Sequence, residues 1–321
     1  MNNLGCLYLV AFAKHILTNV TIISLHCVAL GIAIGAPLGG IVVEEYGARS
    51  AFLCVSAAAL VSLTIYSILP ETVVKEEIDT ASSSTKESSE DDNGANWIEL
   101  LKTSATWRSL ALAQSGSSFG FACKIAVIPI IANEILGGAA GAGLLLSAAG
   151  LAGLVGAPLG GFLTDKAGSR VAASFGGLLS GGALCLVPLG LSLQGMDSTT
   201  TTAIDGSGSS SLVERLVSLS SSPEAAVFCI LVILWSVGAS AQGPALTALG
   251  QENAPLGSEA TALGLPRAVG DGTYIVAPLI LGYFSDKMGE SIPGISCTIA
   301  GSAICLGSFA LLLLAKSEDA R

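Results

Sequence analysis

Charge is what this sequence has least of. Asp, Glu, Lys and Arg make up 12% of its 321 residues, where soluble domains carry about 25%. So small a supply cannot cover a water-facing surface, which excludes an ordinary soluble domain and a soluble apolar repeat protein alike. Histidine is nearly absent. His15 and His26 are eleven residues apart with no carboxylate in helical register, so no hydrolase triad can be assembled from them. The eight cysteines (6, 27, 54, 123, 185, 229, 297, 305) include no CxxC pair and all lie in apolar stretches. That excludes a convergent metal site and leaves them as small core residues. No GxxxxGK[ST] loop is present, which argues against an ATP-driven pump. The only early positive charge, Lys14, lies inside the first apolar run rather than before it, so a cleavable signal peptide is not expected. Asn19-Val20-Thr21 matches a glycosylation acceptor but sits in or beside that run, and is discounted.

What the chain has in abundance is apolar length. Hydrophobic residues make up 51% of it and the mean hydropathy is +0.72. The 39 glycines fit helices that approach closely in a bilayer. A membrane span needs about 20 mostly apolar residues, and that criterion predicts eight: near 22–43, 51–69, 109–132, 139–163, 171–193, 225–248, 261–284 and 294–315. The apolar segment 4–20 is interrupted by Lys14, His15 and Asn19 and is left uncounted. Two polar stretches separate the spans. Thr72 to Trp107 is acidic and Ser-rich, without a helical apolar stripe, and is expected to be a disordered or loosely helical linker. Gln194 to Ser222 is rich in Ser, Thr and Gly, with one short amphipathic piece, Leu212 to Leu219.

The formal net charge of −10 gathers largely in the first stretch, where Glu71 to Glu99 holds nine acidic residues and two lysines. A solvated acidic loop argues against a nucleic-acid partner. The basic residues set the orientation. Eight spans put Lys75, Lys86, Lys102, Arg108, Lys166, Arg170, Lys316 and Arg321 on one side and only Arg49, Arg215 and Lys287 on the other. The positive-inside rule then predicts a cytoplasmic central loop and C-terminus in a multi-pass membrane protein.

One motif occurs three times. Residues 35–49 read GAPLGGIVVEEYGAR, 156–170 read GAPLGGFLTDKAGSR and 276–290 read VAPLILGYFSDKMGE, with starts 121 and 120 residues apart. Each copy closes an apolar span, and three spans separate successive copies, so the chain is predicted to repeat a three-helix unit. An odd number of spans places successive copies on opposite sides of the membrane, which makes the repeat inverted, as in secondary transporters. In the second copy Pro158 lacks an N–H and loosens its helix. Gly156, Gly160 and Gly161 are expected to admit a neighbouring helix. Asp165, Lys166 and Arg170 close the turn around Gly168, either as a latch that holds one conformation or as a topological anchor. The other copies offer Gly35, Pro37, Gly39, Gly40, Pro278, Gly282 and Asp286 as a helix-packing motif.

The string GAPLGGFLTDKAGSR resembles the Gly-x-x-x-Asp-Arg/Lys-x-Gly-Arg signature of the major facilitator superfamily, which in that family follows the second helix of each six-helix half. Gly35 to Gly40 is similar to the Gly-Pro-x-x-Gly-Gly element of the fifth helix, common in the family's drug–proton antiporters. Pro70-Glu71-Thr72 resembles the Leu-Pro-Glu that ends the sixth helix, and Arg267 to Asp286 the eleventh. Ala36 stands where the antiporter element has its proline, Glu44-Glu45 replaces a basic turn, and Lys166 stands for the more frequent Arg. The resemblance implies an all-α membrane protein: a bundle of inverted three-helix repeats whose eight spans correspond to helices five to twelve. Residues 1–70 are then expected to be the remnant of an N-terminal half and 71–107 a cytoplasmic linker. Residues 108–316 would form a six-helix C-terminal half, and 317–321 a tail.

Charges inside spans cost about 2.5–3.5 kcal/mol on insertion scales, so each is a functional candidate. Lys124 falls mid-span; it can face a central cavity and bind an anionic group or a carboxylate, or serve as a structural or snorkelling side chain. Arg267 and Asp271 are four apart on one helix and can pair, as a structural pair or as a proton- or substrate-coupled switch. Gln114 and Gln242 suit substrate hydrogen bonds or bridges between helices. The function implied is secondary transport of a small organic solute, drug-like or metabolite, by alternating access, driven by a proton or solute gradient. No enzyme activity, cofactor or metal is expected. The rival is a non-transporting membrane protein, an interaction or regulatory subunit or an incomplete gene product, whose missing helices a partner supplies. A membrane-embedded enzyme ranks last, because no polar constellation gathers at one depth.

Overall fold

The computed structural model describes residues 31–32, 34–68, 97–192, 223–255, 259–289 and 291–314. The uncounted segment 4–20, the linker up to residue 96, and the amphipathic piece Leu212 to Leu219 lie outside the described residues. Every regular element among the described residues is a helix. We label them α1 (34–46), α2 (Ala48–Ile68), α3 (Trp97–Thr103), α4 (Ala105–Ala126), α5 (Ile128–Ile135), α6 (Ala139–Ala167), α7 (Ser169–Ser192), α8 (Pro223–Glu252), α9 (Glu259–Met288) and α10 (Ile295–Leu314).

Among the described residues, six stretches are long and apolar enough to cross a bilayer: α2, Ala105–Ile135, α6, α7, Ala225–Glu252 and Ile295–Leu313. The span expected at 261–284 exists as the 30-residue α9, but it is too polar for that criterion, since Arg267 and Asp271 interrupt its apolar run. The span expected near 22–43 is described only from residue 31.

The third expected span is broken. α4 ends at Val127 (φ −112°, ψ −51°) and α5 begins at once, with Pro129 in its first turn. Pro129 has no N–H to give to the carbonyl of Ile125, so the i to i−4 ladder is interrupted there, while Val127 N still reaches Cys123 O at 2.9 Å. Residues 97–103, within the stretch expected to be disordered or loosely helical, form a helix. α3 is held by a remote contact, the indole Nε1 of Trp97 donating to Thr261 O of α9 at 2.7 Å. Ser104 then caps α4 by accepting from Trp107 N at 3.4 Å.

The repeat has a backbone signature. Gly47 N donates to Val43 O (3.0 Å), Gly168 N to Thr164 O (3.0 Å) and Gly289 N to Ser285 O (2.8 Å), closing the helix at the same motif glycine in each copy. Gly47 (φ +80°) and Gly168 (φ +91°) lie in the left-handed region, which only glycine enters without strain.

α4 and α6 to α10 pack as a bundle in the neighbour order α6, α8, α7, α10, α4, α9. Small residues set the contacts. A Cβ on Gly116 would lie 2.5 Å from Ala303 O, one on Gly301 2.5 Å from Gly181 O, and one on Gly238 2.7 Å from Gly176 O. With so few bulky side chains between them, the backbones themselves pack, the arrangement that stabilises helices when lipid offers no hydrophobic drive.

Two apolar clusters fill the bundle. One gathers Ile128, Leu184, Phe228, Val232, Trp235 and Ile304; the other gathers Trp107, Leu110, Leu246, Leu249, Leu265 and Leu311. Between them runs a polar layer, where Ser117 Oγ donates to Gln242 Oε1 at 2.8 Å and Ser308 Oγ to Ile304 O at 2.9 Å. α1 packs on α6: a Cβ on Gly40 would lie 2.5 Å from Ala139 O, and Gly143 abuts Ala36 O. α2 buries none of its residues.

Candidate functional site

Lys124 is the residue around which a site can be built. It lies on α4, one turn before the break at Val127, and its Nζ sits 5.8 Å from the centroid of the Trp235 ring on α8. That ring is buried and fixed edge-to-face against Phe121, with centroids 6.0 Å apart and planes at 75°. A cation over an indole face gains about 0.5–2 kcal/mol, less than a full ion pair would return. Among the described residues no carboxylate pairs with Lys124. The indole cradles the ammonium without neutralising it.

Gln114, Arg267 and Asp271 lie at another depth. A Cβ on Gly270 of α9 would fall 3.1 Å from Gln114 Nε2 and 3.1 Å from Ser118 Oγ, and Ser115 Oγ meets Thr273 Oγ1 at 2.9 Å. Gln114 is thus level with Asp271, and ten helical residues, about 15 Å, separate it from Lys124. Arg267 Nε donates to Asp271 Oδ2 at 3.1 Å, with the side chains 80% and 66% exposed, so the pair stands on the open side of α9 rather than against α4. Gln242 does not join either group. It is 1% exposed, and its Oε1 accepts from Ser117 Oγ, which bridges α8 to α4, the helix bridge that is one of its two expected roles, while its buried Nε2 has no partner among the described residues.

The second motif copy divides by helix face. Gly156 and Gly160 are buried against the backbone of α8, at Val237 O and Ala241 O. Gly161, expected to pack in the same way, faces open space among the described atoms, as do Gly35, Gly39 and Gly282. One residue along a helix is a rotation of about 100°, which takes a side chain off the contact stripe. Pro158 is exposed within α6, and Pro37 of α1 lies beside Gly143. Pro278 lies within α9, and Asp286 is exposed in its last turns. Asp165 and Lys166 are exposed at the turn, with Lys166 Nζ over the Phe162 ring at 5.8 Å, and Arg170 is half-buried in the first turn of α7. Ser169 Oγ donates to Glu252 Oε2 at 2.5 Å, which joins this turn to the end of α8.

The comparison with known families decides the framework. Residues 14–272 match the family described as Major Facilitator Superfamily. The chain belongs to the major facilitator superfamily. No curated protein matches it. The helical bundle, its repeated motif and the six apolar spans among the described residues agree with the facilitator fold, and the chain is a multi-pass membrane transporter.

Sequence reasoning missed two features of this facilitator. Pro129 signals the break below Lys124 and could have been recognised. Trp235 could not, because nothing local in α8 points to α4. Replacing Pro129 with Ala restores a donor for Ile125 O and is expected to raise the thermal midpoint of the purified protein slightly while slowing transport about three- to tenfold, as for a lost hinge. Unchanged transport with a raised midpoint would make the break a packing feature alone.

Proposed function

We propose that this facilitator is a secondary active transporter that moves a small organic solute by alternating access, coupled to a proton. The observation that carries the proposal is Lys124, a charge held within a span on the face of Trp235 with no carboxylate partner among the described residues. A charge at that depth persists where function requires it. In this reading Lys124 recognises the solute and Arg267 with Asp271 couples it to the proton. Gln114 supports the α9 face, and the turn at Asp165, Lys166 and Arg170 gates one side. The antiporter-like Gly35–Gly40 element favours export of a drug or metabolite. The distribution of Lys and Arg supports a cytoplasmic position for the turn at Gly168 and the central linker. The stretch up to residue 70 is assigned to one half of the facilitator and 108–316 to the other.

The test is electrical. The purified chain is reconstituted in liposomes on a solid-supported membrane and challenged with organic anions, cations and neutral solutes under an imposed pH gradient. A transient current for one class, lost in Lys124→Gln, is the expected result. If no class produces current or labelled uptake from protein whose helicity is intact by circular dichroism, the chain is not a transporter by itself and acts as an interaction subunit.

A further inference from the structure

The surroundings of Lys124 restrict what it can bind. From Phe119 to Ile131 it is the only side chain that carries a charge or a strong hydrogen-bond donor; the rest are Phe, Gly, Ala, Val, Ile, Pro and the buried Cys123. Its neighbours one turn before and one residue after, Phe121 and Ile125, are 44% and 65% exposed. Positions 121, 124 and 125 share one helical face. On α4 itself, the exposed surface beside the ammonium therefore consists of an aromatic ring and a branched aliphatic chain among the described residues. Beneath lies Trp235, 1% exposed, whose ring packs edge-to-face on Phe121 and whose Nε1 lies close to Gly120.

One ammonium neutralises one negative charge. A phosphate or a di- or tricarboxylate would bring further charge and several acceptors to a stretch of helix whose one charged donor is Lys124; beyond it the unpartnered indole Nε1 of Trp235 adds a single neutral donor, so the extra charge would stay uncompensated at high desolvation cost. A sugar would leave its hydroxyls unpaired for the same reason. An inorganic anion would gain nothing from the two apolar neighbours.

Building on the proposed transport function, we infer that the Lys124–Trp235–Phe121 site selects monovalent organic anions with an apolar, preferentially aromatic body. The carboxylate pairs with Lys124 and the body covers Phe121 and Ile125. The ammonium keeps its indole platform throughout, because a cation can hold a ring face and a carboxylate on opposite sides.

The experiment uses the full chain in lipid nanodiscs, with binding read by isothermal calorimetry and by tryptophan emission. Phenylacetate is the probe, compared with acetate, benzyl alcohol, benzylammonium, phosphate and citrate. Phenylacetate is expected to bind at least about tenfold more tightly than each of the others, since each lacks the charge, its sign or the apolar body, or carries excess charge. Lys124→Gln should weaken it by at least about tenfold and Lys124→Arg by less than about threefold. Phe121→Ala should weaken phenylacetate and leave acetate unchanged. Removing an unpaired charge should not unfold the bundle, and the thermal midpoint of Lys124→Gln serves as the check. Phosphate or citrate binding as tightly as phenylacetate would overturn the inference, as would full phenylacetate affinity in a folded Lys124→Gln protein. Binding without flux in liposomes would leave this site standing and sink the transport reading. Flux of other solutes with no phenylacetate binding would do the reverse.

Discussion

Leucine at Gly160 is expected to dismantle the contact between α6 and α8, while leucine at Gly161 does almost nothing. A Cβ at Gly160 would overlap Ala241 O, a backbone atom that cannot rotate away, whereas one at Gly161 meets no described atom within 4 Å. Overpacking a tight core costs about 1–3 kcal/mol where side chains can yield. Here only a shift of a whole helix can relieve it, so a loss of about 3 kcal/mol or more is expected for Gly160→Leu. A change whose first added atom meets nothing among the described residues, such as Gly161→Leu, should stay within about 0.5 kcal/mol. The thermal midpoint of the detergent-purified variants, followed by Trp emission, separates them. Equal midpoints would mean that α6 and α8 are not joined through this glycine. Transport should follow stability, failing in Gly160→Leu and surviving in Gly161→Leu.

The contrast shows what a sequence can and cannot tell. The inverted repeat is legible because it is local: an apolar run, a glycine that must enter the left-handed region at 47 and 168, and a helix-closing bond one turn back. Spans are legible for the same reason, since twenty apolar residues have few other fates. Which of two adjacent glycines is the packing residue depends on where α8 lies, and nothing in GAPLGG encodes that. Lys124 could be singled out by its cost alone, but its platform comes from another helix far along the chain. α3 lies in the stretch 72–107, whose acidic, Ser-rich composition predicts disorder or loose helix but does not tell which part is helical. It is ordered by Trp97 reaching Thr261, a contact that exists only once the bundle has formed. The polar layer at Ser117, Gln242 and Ser308 is likewise invisible residue by residue, since Ser and Gln are unremarkable in a span until three helices bring them to one depth.

Asn at Asp271 should abolish proton-driven accumulation while leaving the bundle as stable as before. Two roles compete for the Arg267–Asp271 pair, and its exposure decides how to separate them. At 80% and 66% exposed, with Nε and Oδ2 3.1 Å apart at i, i+4 spacing, the pair resembles helix-surface ion pairs. Such pairs contribute about 0.3–0.5 kcal/mol to stability. A purely structural pair could therefore lose either partner with little consequence for folding or for flux. A coupling pair behaves differently. A proton on Asp271 releases Arg267 as an unpaired cation, and the side of the membrane open to that cation then sets which conformation is favoured. Asp271→Asn fixes the released state permanently. Accumulation against a gradient should fall by at least about thirtyfold, a difference of some 2 kcal/mol, and its pH dependence should vanish. Counterflow exchange, which needs no proton, should stay within about threefold of the parent rate. Arg267→Gln should also impair accumulation, and the double variant should be no worse than Asp271→Asn alone, since two members of one switch are not additive. Equal loss of accumulation and exchange in Asp271→Asn would instead place the carboxylate in solute binding. No loss of either would leave the pair a structural one and move proton coupling elsewhere in the chain.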